Sequence, residues 1–293
     1  MMDLEVFFRD CLLIRQKSPL IHNITNYVAM NPSANALLAI GASPIMTFCK
    51  EEMDEIVSSA DAVVINIGCL DMQQIGAMMI AADAAQRYGR PLILDPVGAG
   101  ASSLRLETSL DIIRNYHPAI IRANASEVLS LALGKKSGRG VDATLNENTN
   151  KEVVAALGGH TNQEVVATLG EKTNREVNAI QAAKRLAIDS KSIVSMSGAI
   201  DCITDGETVK TISGGSPLMP KVTAMGCTAS AITGAFAAVD DNYLDAAAGA
   251  MLLMKICGEK AASGASGTGT FACRFIDELS TFNPDEIVSS GLR

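Results

Sequence analysis

The amino-acid sequence predicts an α/β fold, with one central, mostly parallel sheet covered by helices on both faces. Three observations lead there. Short Val- and Ile-rich runs end in Gly, Asn or Asp, longer segments of helical period stand between them, and polar residues gather where the runs end. Strands that are apolar along their whole length, not only at alternate positions, are buried on both sides, as in a parallel sheet between helical layers.

The elements follow in order. The opening "MMDLEVFFRDCLLIRQKS" sets acids among its apolar residues, so it lacks the basic-then-apolar grammar of a signal peptide and predicts an amphipathic helix. "PLIHNITNYVAM" (19–30) begins apolar and turns polar. Its His22, Asn23, Thr25 and Asn26, with Asn31 beyond, suit either a turn network or a wall facing a neutral polar ligand. Helices are expected at 31–41, 51–59, 72–89, 103–116 and 178–189, and strands at 42–46, 62–68, 91–96, 119–124 and 192–198. The tail from about 227 to 280 is mostly helical, with a glycine-rich break, "SGASGTG", at 263–269. No linker divides residues 1–293, which read as a single domain.

One segment departs from this rhythm. "TNKEVVAALGGH" (149–160), "TNQEVVATLGEK" (161–172) and "TNREVNAIQAAK" (173–184) are copies of one unit. Each opens on the Thr-x-x-Glu of a capping box, and the first two close at Gly158 and Gly170, as helix C-caps do. The third runs into the expected helix at 178–189, so the repeat-bearing insertion is placed at about 145–172. A helix start duplicated within a loop, where added length costs little, accounts for it; a docking arm is the alternative.

Composition bounds the function. The chain is 48% hydrophobic, enough for a large core, and its net charge of −8 comes with no basic patch, which excludes a nucleic-acid surface. Seven dispersed cysteines without a C-x-x-C pair read as reduced thiols of a cytoplasmic protein. The apolar run "AAAGAMLLM" (246–254) ends at Lys255 and is too short to span a membrane. His22, His117 and His160 lie far apart in sequence, so no metal cluster is supported.

In open parallel sheets ligands bind beyond the carboxyl ends of the strands. Asn66 and Gly68, Asp95, Arg122 with Asn124 and Glu127, and Ser197 all fall at such ends. "DPVGAGAS" (95–102) follows a strand with a glycine-rich turn but has neither the G-x-G-x-x-G nor the P-loop spacing. Asp95 alone therefore reads as a ligand or as a structural turn carboxylate. In "IRANASEV" (121–128), Arg122 suits phosphate oxygens and Glu127 a cation. Helix capping by Asn124 or Ser126, with Glu127 favoured by the dipole, explains the same residues. In "VTAMGCTASAITGAF" (222–236), Gly226 permits close backbone approach, and the amides of a helix start form an anion hole. Cys227 at that place is expected to feel the dipole, which favours thiolate. Its other reading is a buried small hydrophobe.

Taken together and in this order, "IHNITNYVAMNPSANALLAIGASPIM", "VVINIG", "LILDPVGAGAS", "IRANASEV" and the Gly226-Cys227 helix start closely resemble the hydroxyethylthiazole kinases of the ribokinase-like group. The likeness covers nearly everything outside the repeat insertion. It implies transfer of the γ-phosphate of ATP, with Mg²⁺, to the hydroxyl of 4-methyl-5-(2-hydroxyethyl)thiazole in thiamine salvage. It also implies substrate contacts at Met46, Asn26, Gly68 and Ala224, ATP contacts at Arg122 and Ser197, and magnesium near Asp95 and Glu127. Cys227 falls where most ribokinase-like enzymes carry a catalytic Asp. A homotrimer with active sites between subunits, with no nucleic-acid or membrane partner, is expected from the same resemblance. The family pattern Thr-Gly-x-Gly-Cys is here Thr223-Ala224-Met225-Gly226-Cys227. If residue 224 needs positive φ, Ala costs about 1 kcal/mol relative to Gly. Rival readings are a kinase of a pyrimidine or pyridoxal alcohol, a nicotinamide-hydrate dehydratase-type lyase, and a non-catalytic thiazole-binding protein.

Overall fold

The computed structural model describes residues 3–136 and 171–284. β1 (Leu20–Ile24), β2 (Ser43–Ile45), β3 (Ala62–Asn66), β4 (Leu92–Asp95), β5 (Ile120–Asn124) and β6 (Ile193–Ser197) are parallel. β7 (Asp201–Thr204) and β8 (Val209–Ile212) add an antiparallel edge, and the single sheet runs β2-β1-β3-β4-β5-β6-β7-β8.

Two apolar layers cover it. One holds α1 (Leu4–Lys17), α2 (Met30–Ile40), α8 (Met225–Ala237), α9 (Tyr243–Ser263) and α10 (Thr268–Thr281). The other holds α3 (Met53–Ser59), α4 (Met72–Tyr88), α5 (Ser103–Tyr116), α6 (Ala125–Leu133) and α7 (Glu171–Ser190). The strands serve both: in β3, Ala62 and Val64 face the first layer while Val63 and Ile65 face the second. This is the physical meaning of the uninterrupted apolar runs.

Local chemistry fixes the helix ends. Asp3 caps α1 by accepting the Glu5 amide, and Phe7, Cys11 and Ile14 form its buried face. Asp71 and Ser102 cap α4 and α5 through the amides of Gln74 and Arg105, and Gly41, Gly89 and Gly134 close α2, α4 and α6 in the left-handed conformation.

Two departures from expectation stand out. The first half of 19–30 is not a turn network but β1, an inner strand between β2 and β3. Its polar side chains are held within the protein: His22 Nε2 lies 3.1 Å from the Thr47 carbonyl, and Asn23 Nδ2 donates to Ile21 O at 3.0 Å, while among the described residues His22 Nδ1 meets no partner. The hairpin β7–β8 was also not expected, being two four-residue strands joined by a tight turn. The insertion expected at 145–172 lies outside the described residues except for its last two positions, which begin α7. No helix among the described residues is long and apolar enough to cross a membrane.

Candidate active site

The chain reverses its direction of strand addition at β1. It steps outward to β2 by way of α2, then returns past β1 to β3 by way of α3 on the opposite face. Such a switch point opens a crevice at the carboxyl ends of the strands. There the loop after β1 brings Asn26 to Asn66 at the end of β3, and Asn66 is in register with Asp95 at the end of β4.

A continuous set of hydrogen bonds ties these elements together. Asn66 Nδ2 donates to Asp95 Oδ2 at 2.6 Å, which fixes the amide so that its Oδ1 accepts from Asn26 Nδ2 at 3.0 Å and the Gly68 amide at 2.9 Å. Asn26 Nδ2 also donates to Cys227 Sγ at 3.3 Å, and Asn26 Oδ1 accepts the Ala29 amide. From α8, Ser230 Oγ donates to Asp95 Oδ2 at 2.7 Å. Gly68 has no room for a side chain, because a Cβ would lie 2.6 Å from Asn26 Nδ2 and 2.8 Å from Asn66 Oδ1. Asp95 is thus no turn or cap carboxylate but the buried end of a polar chain running to the thiol.

Glu127 has both roles that the sequence allows. It completes a capping box on α6, its Oε2 accepting the Asn124 amide at 2.9 Å while Asn124 Oδ1 accepts the Glu127 amide at 2.9 Å. Its other oxygen reaches across to the turn after β4 and accepts the Gly98 amide at 2.7 Å. Burial, and then the charge of Asp95, push the Glu127 carboxyl up to about 7. Asp95 is also raised, by burial that outweighs Arg122, Ser230 and Asn66. Among the described residues Asp95 Oδ1 receives no hydrogen bond. Two buried carboxyls that resist ionisation, one with an open oxygen, fit a hard divalent cation such as Mg²⁺, which takes oxygen ligands and removes that resistance.

The mouth of α8 differs from expectation. The helix begins at Met225 with Ala224 as its N-cap residue, so Cys227 is its third residue and caps nothing. Thr228 N–H closes onto the Ala224 carbonyl at 2.8 Å; the amides of Met225, Gly226 and Cys227 precede it, in the turn where no intrahelical acceptor exists. The Arg122 guanidinium packs on Gly226 so closely that a Cβ there would sit 2.8 Å from Nη1. Arg122 is buried, and among the described residues its Nε has no hydrogen-bond partner. A buried guanidinium beside the first amides of a helix suits an anion. The expected thiolate is corrected: burial, then the charge of Asp95, push Cys227 up to about 11, against the pull of Asn26, Asn66 and Arg122.

Asn26, Gly68, Asp95, Arg122, Glu127, Ala224 and Cys227 therefore converge. Ser197 stands at the end of β6, paired with Asn124, its Oγ 3.4 Å from the Ala123 carbonyl. Met46 is half-buried one residue beyond β2, the edge strand, at the same carboxyl end of the sheet as the other site residues but two strands from β3. His22 is structural, as its contact with Thr47 shows. Sequence reasoning missed Ser230, which lies one helical turn beyond Cys227; i,i+3 spacing was the available signal.

Comparison with known proteins identifies the family. A family model described as the hydroxyethylthiazole kinase family matches residues 12–173 and 171–285. Hydroxyethylthiazole kinase of Brachyspira hyodysenteriae is 46% identical over 275 residues, covering 94% of this chain and 93% of its own. The structure of a hydroxyethylthiazole kinase protein from Pyrococcus horikoshii OT3 superposes with a TM-score of 0.81 at 33% identity, over 97% of this chain and 96% of that one. A ribokinase-like superfamily protein from Enterococcus faecalis V583 shares the fold, with a TM-score of 0.58 at 14% identity over 91% of this chain and 86% of its own.

Proposed function

The chain belongs to the hydroxyethylthiazole kinase family, and from that premise we propose that it transfers the γ-phosphoryl group of ATP to the primary hydroxyl of 4-methyl-5-(2-hydroxyethyl)thiazole. One observation carries the reading at atomic scale. The hydrogen-bonded chain from Cys227 through Asn26 and Asn66 to Asp95 joins the acceptor side of the crevice to its carboxylates.

Phosphoryl transfer proceeds through a loose transition state, so alignment and charge neutralisation matter more than prior removal of a proton. Asp95 and Glu127 are the residues that would hold Mg²⁺, which when bound offsets negative charge on the phosphates. Arg122 and the first amides of α8 receive the charge of the moving group. Ser197, at the next strand end, suits the nucleotide. Asn26 and Gly68 flank the acceptor, with Met46 and the Ala224 backbone on the thiazole.

Cys227, raised to about 11, is a neutral thiol near pH 7. A protonated sulfur cannot accept the alcohol's proton. Its part is to hold the hydroxyl in line by a hydrogen bond, and the proton leaves to phosphate oxygen or water as the new bond forms. The homotrimer with shared active sites, the single-domain organisation and the cytoplasmic location belong to the same proposal; exposed Tyr27 and Val28 beside Asn26 support an interface there.

A coupled ADP-release assay tests the reading. Release is expected with the thiazole alcohol and Mg²⁺, and not with hydroxymethylpyrimidine, pyridoxal or water as acceptor. Release of equal rate with a pyrimidine or pyridoxal alcohol would move the chain to another ribokinase-like kinase, and turnover of a nicotinamide hydrate to the lyases.

A further inference from the structure

Arg105 stands third in α5, at the positive end of the helix dipole, where a cation is disfavoured. Among the described residues no carboxylate pairs with it; its guanidinium is spent on backbone carbonyls instead. Nη1 donates to Ile67 O at 2.8 Å and to Val97 O at 2.7 Å, and Nη2 donates to Gly68 O at 2.9 Å. Ile67 and Gly68 form the loop after β3, whereas Val97 lies in the turn after β4. One planar fork therefore holds two neighbouring loops at their site-facing ends.

What these loops carry gives the contact its meaning. The Gly68 amide orients Asn66, which aligns Asp95 and Asn26. The Gly98 amide, next to Val97, holds Glu127. We propose that Arg105 is a positioning residue for the reaction: by locking the loop after β3 to the turn after β4, it fixes the acceptor side of the crevice relative to the Asp95–Glu127 carboxyls. This rests on the proposed function for what binds on each side. A lysine cannot replace it, because one ammonium does not span three carbonyls on two segments as a fork does.

The test uses the full-length chain with Arg105→Lys and Arg105→Met. In Arg105→Met the KM for the thiazole alcohol and the Mg²⁺ concentration for half-maximal rate are expected to rise together, each roughly tenfold or more, with the KM for ATP changing less than about twofold. Arg105→Lys, which keeps charge and stem, is expected to restore less than about half of the loss. Amide exchange without substrate should quicken in residues 66–70 and 96–101 together in both variants. Unchanged kinetic constants, an equal rise in the KM for ATP, full rescue by lysine, or exchange altered in one loop alone would each overturn the proposal. If the wild type shows no thiazole-dependent turnover, the functional reading fails, and the exchange measurement still decides whether Arg105 couples the loops.

Discussion

At the scale of single residues, Cys227 and Ala224 decide how the mouth of α8 works. Removing a general base costs ~10²–10⁴ in rate, whereas losing one orienting hydrogen bond costs nearer tenfold. With its thiol raised to about 11, Cys227 belongs to the second case. Cys227→Ala is therefore expected to lower kcat roughly tenfold while the KM for ATP holds. Steady-state kinetics of variant and wild type from pH 6 to 9 check this. A rate equal to wild type removes the residue from the reaction, and a wild-type inflection in this range that the variant lacks restores the base. Ala224 poses a different problem. Its φ is +66°, in the left-handed region, where a Cβ meets the carbonyl that follows. The condition attached to the Ala-for-Gly departure is thus met. Ala224→Gly is expected to raise unfolding stability by about 1 kcal/mol in chemical denaturation, and no gain would mean that the strain is absorbed elsewhere.

At the scale of elements, α8 is pressed so closely on the sheet that its glycine is a packing device. A Cβ at Gly234 would lie 2.7 Å from Val64 Cγ2 and 3.1 Å from Ile21 Cγ2, both on β-branched side chains held in central strands. Helix propensity alone favours Gly234→Ala by about 1 kcal/mol. Overpacking opposes it by roughly 1–3 kcal/mol, so the net expectation is a loss, seen as a lower denaturation midpoint; a gain would show that α8 can rise off the sheet. Much of this element level was legible in sequence. The five expected strands appear, and the expected helix at 103–116 coincides with α5, because parallel strands and capped helices state their burial locally. β1 was hidden by His22 and Asn23, polar side chains that the fold buries in an inner strand, with His22 Nε2 against the distant Thr47 carbonyl. The short strands β7 and β8 offer too few residues for a period to show. In the site, Asp95, Arg122 and Glu127 were legible from strand ends. The state of Cys227 was not, since desolvation and the charge of Asp95 come from distant segments while the dipole is local.

At the scale of the whole molecule, the layer of α1, α2, α8, α9 and α10 has a weak point at the edge remote from the site. Asp10 of α1 is fully buried, and among the described residues its Oδ2 has no hydrogen-bond partner. Arg9 Nη2 bridges Asp10 Oδ1 at 2.6 Å and Asp240 Oδ2 at 2.7 Å, between α8 and α9. An ion pair should lower an acid, yet Arg9 is half exposed and water screens its pull, so burial prevails and Asp10 rises to about 6, with the nearby Asp240 adding to the rise. The consequence for stability has a definite sign. Between the unfolded value near 3.8 and the folded value near 6, the native chain keeps a proton that the unfolded chain has lost. Stability from this group is therefore greatest at the acid end and falls as pH rises through the window, by about 3 kcal/mol in all. Asp10→Asn keeps the shape and cannot ionise, so its melting temperature should exceed that of wild type at pH 7 and the difference should shrink towards pH 4. Thermal melts of both proteins at pH 4, 5, 6 and 7 decide the matter. If the difference is the same throughout, the contact of α1 with the α8–α9 connection is held by the charged form of Asp10, and Arg9 outweighs burial after all.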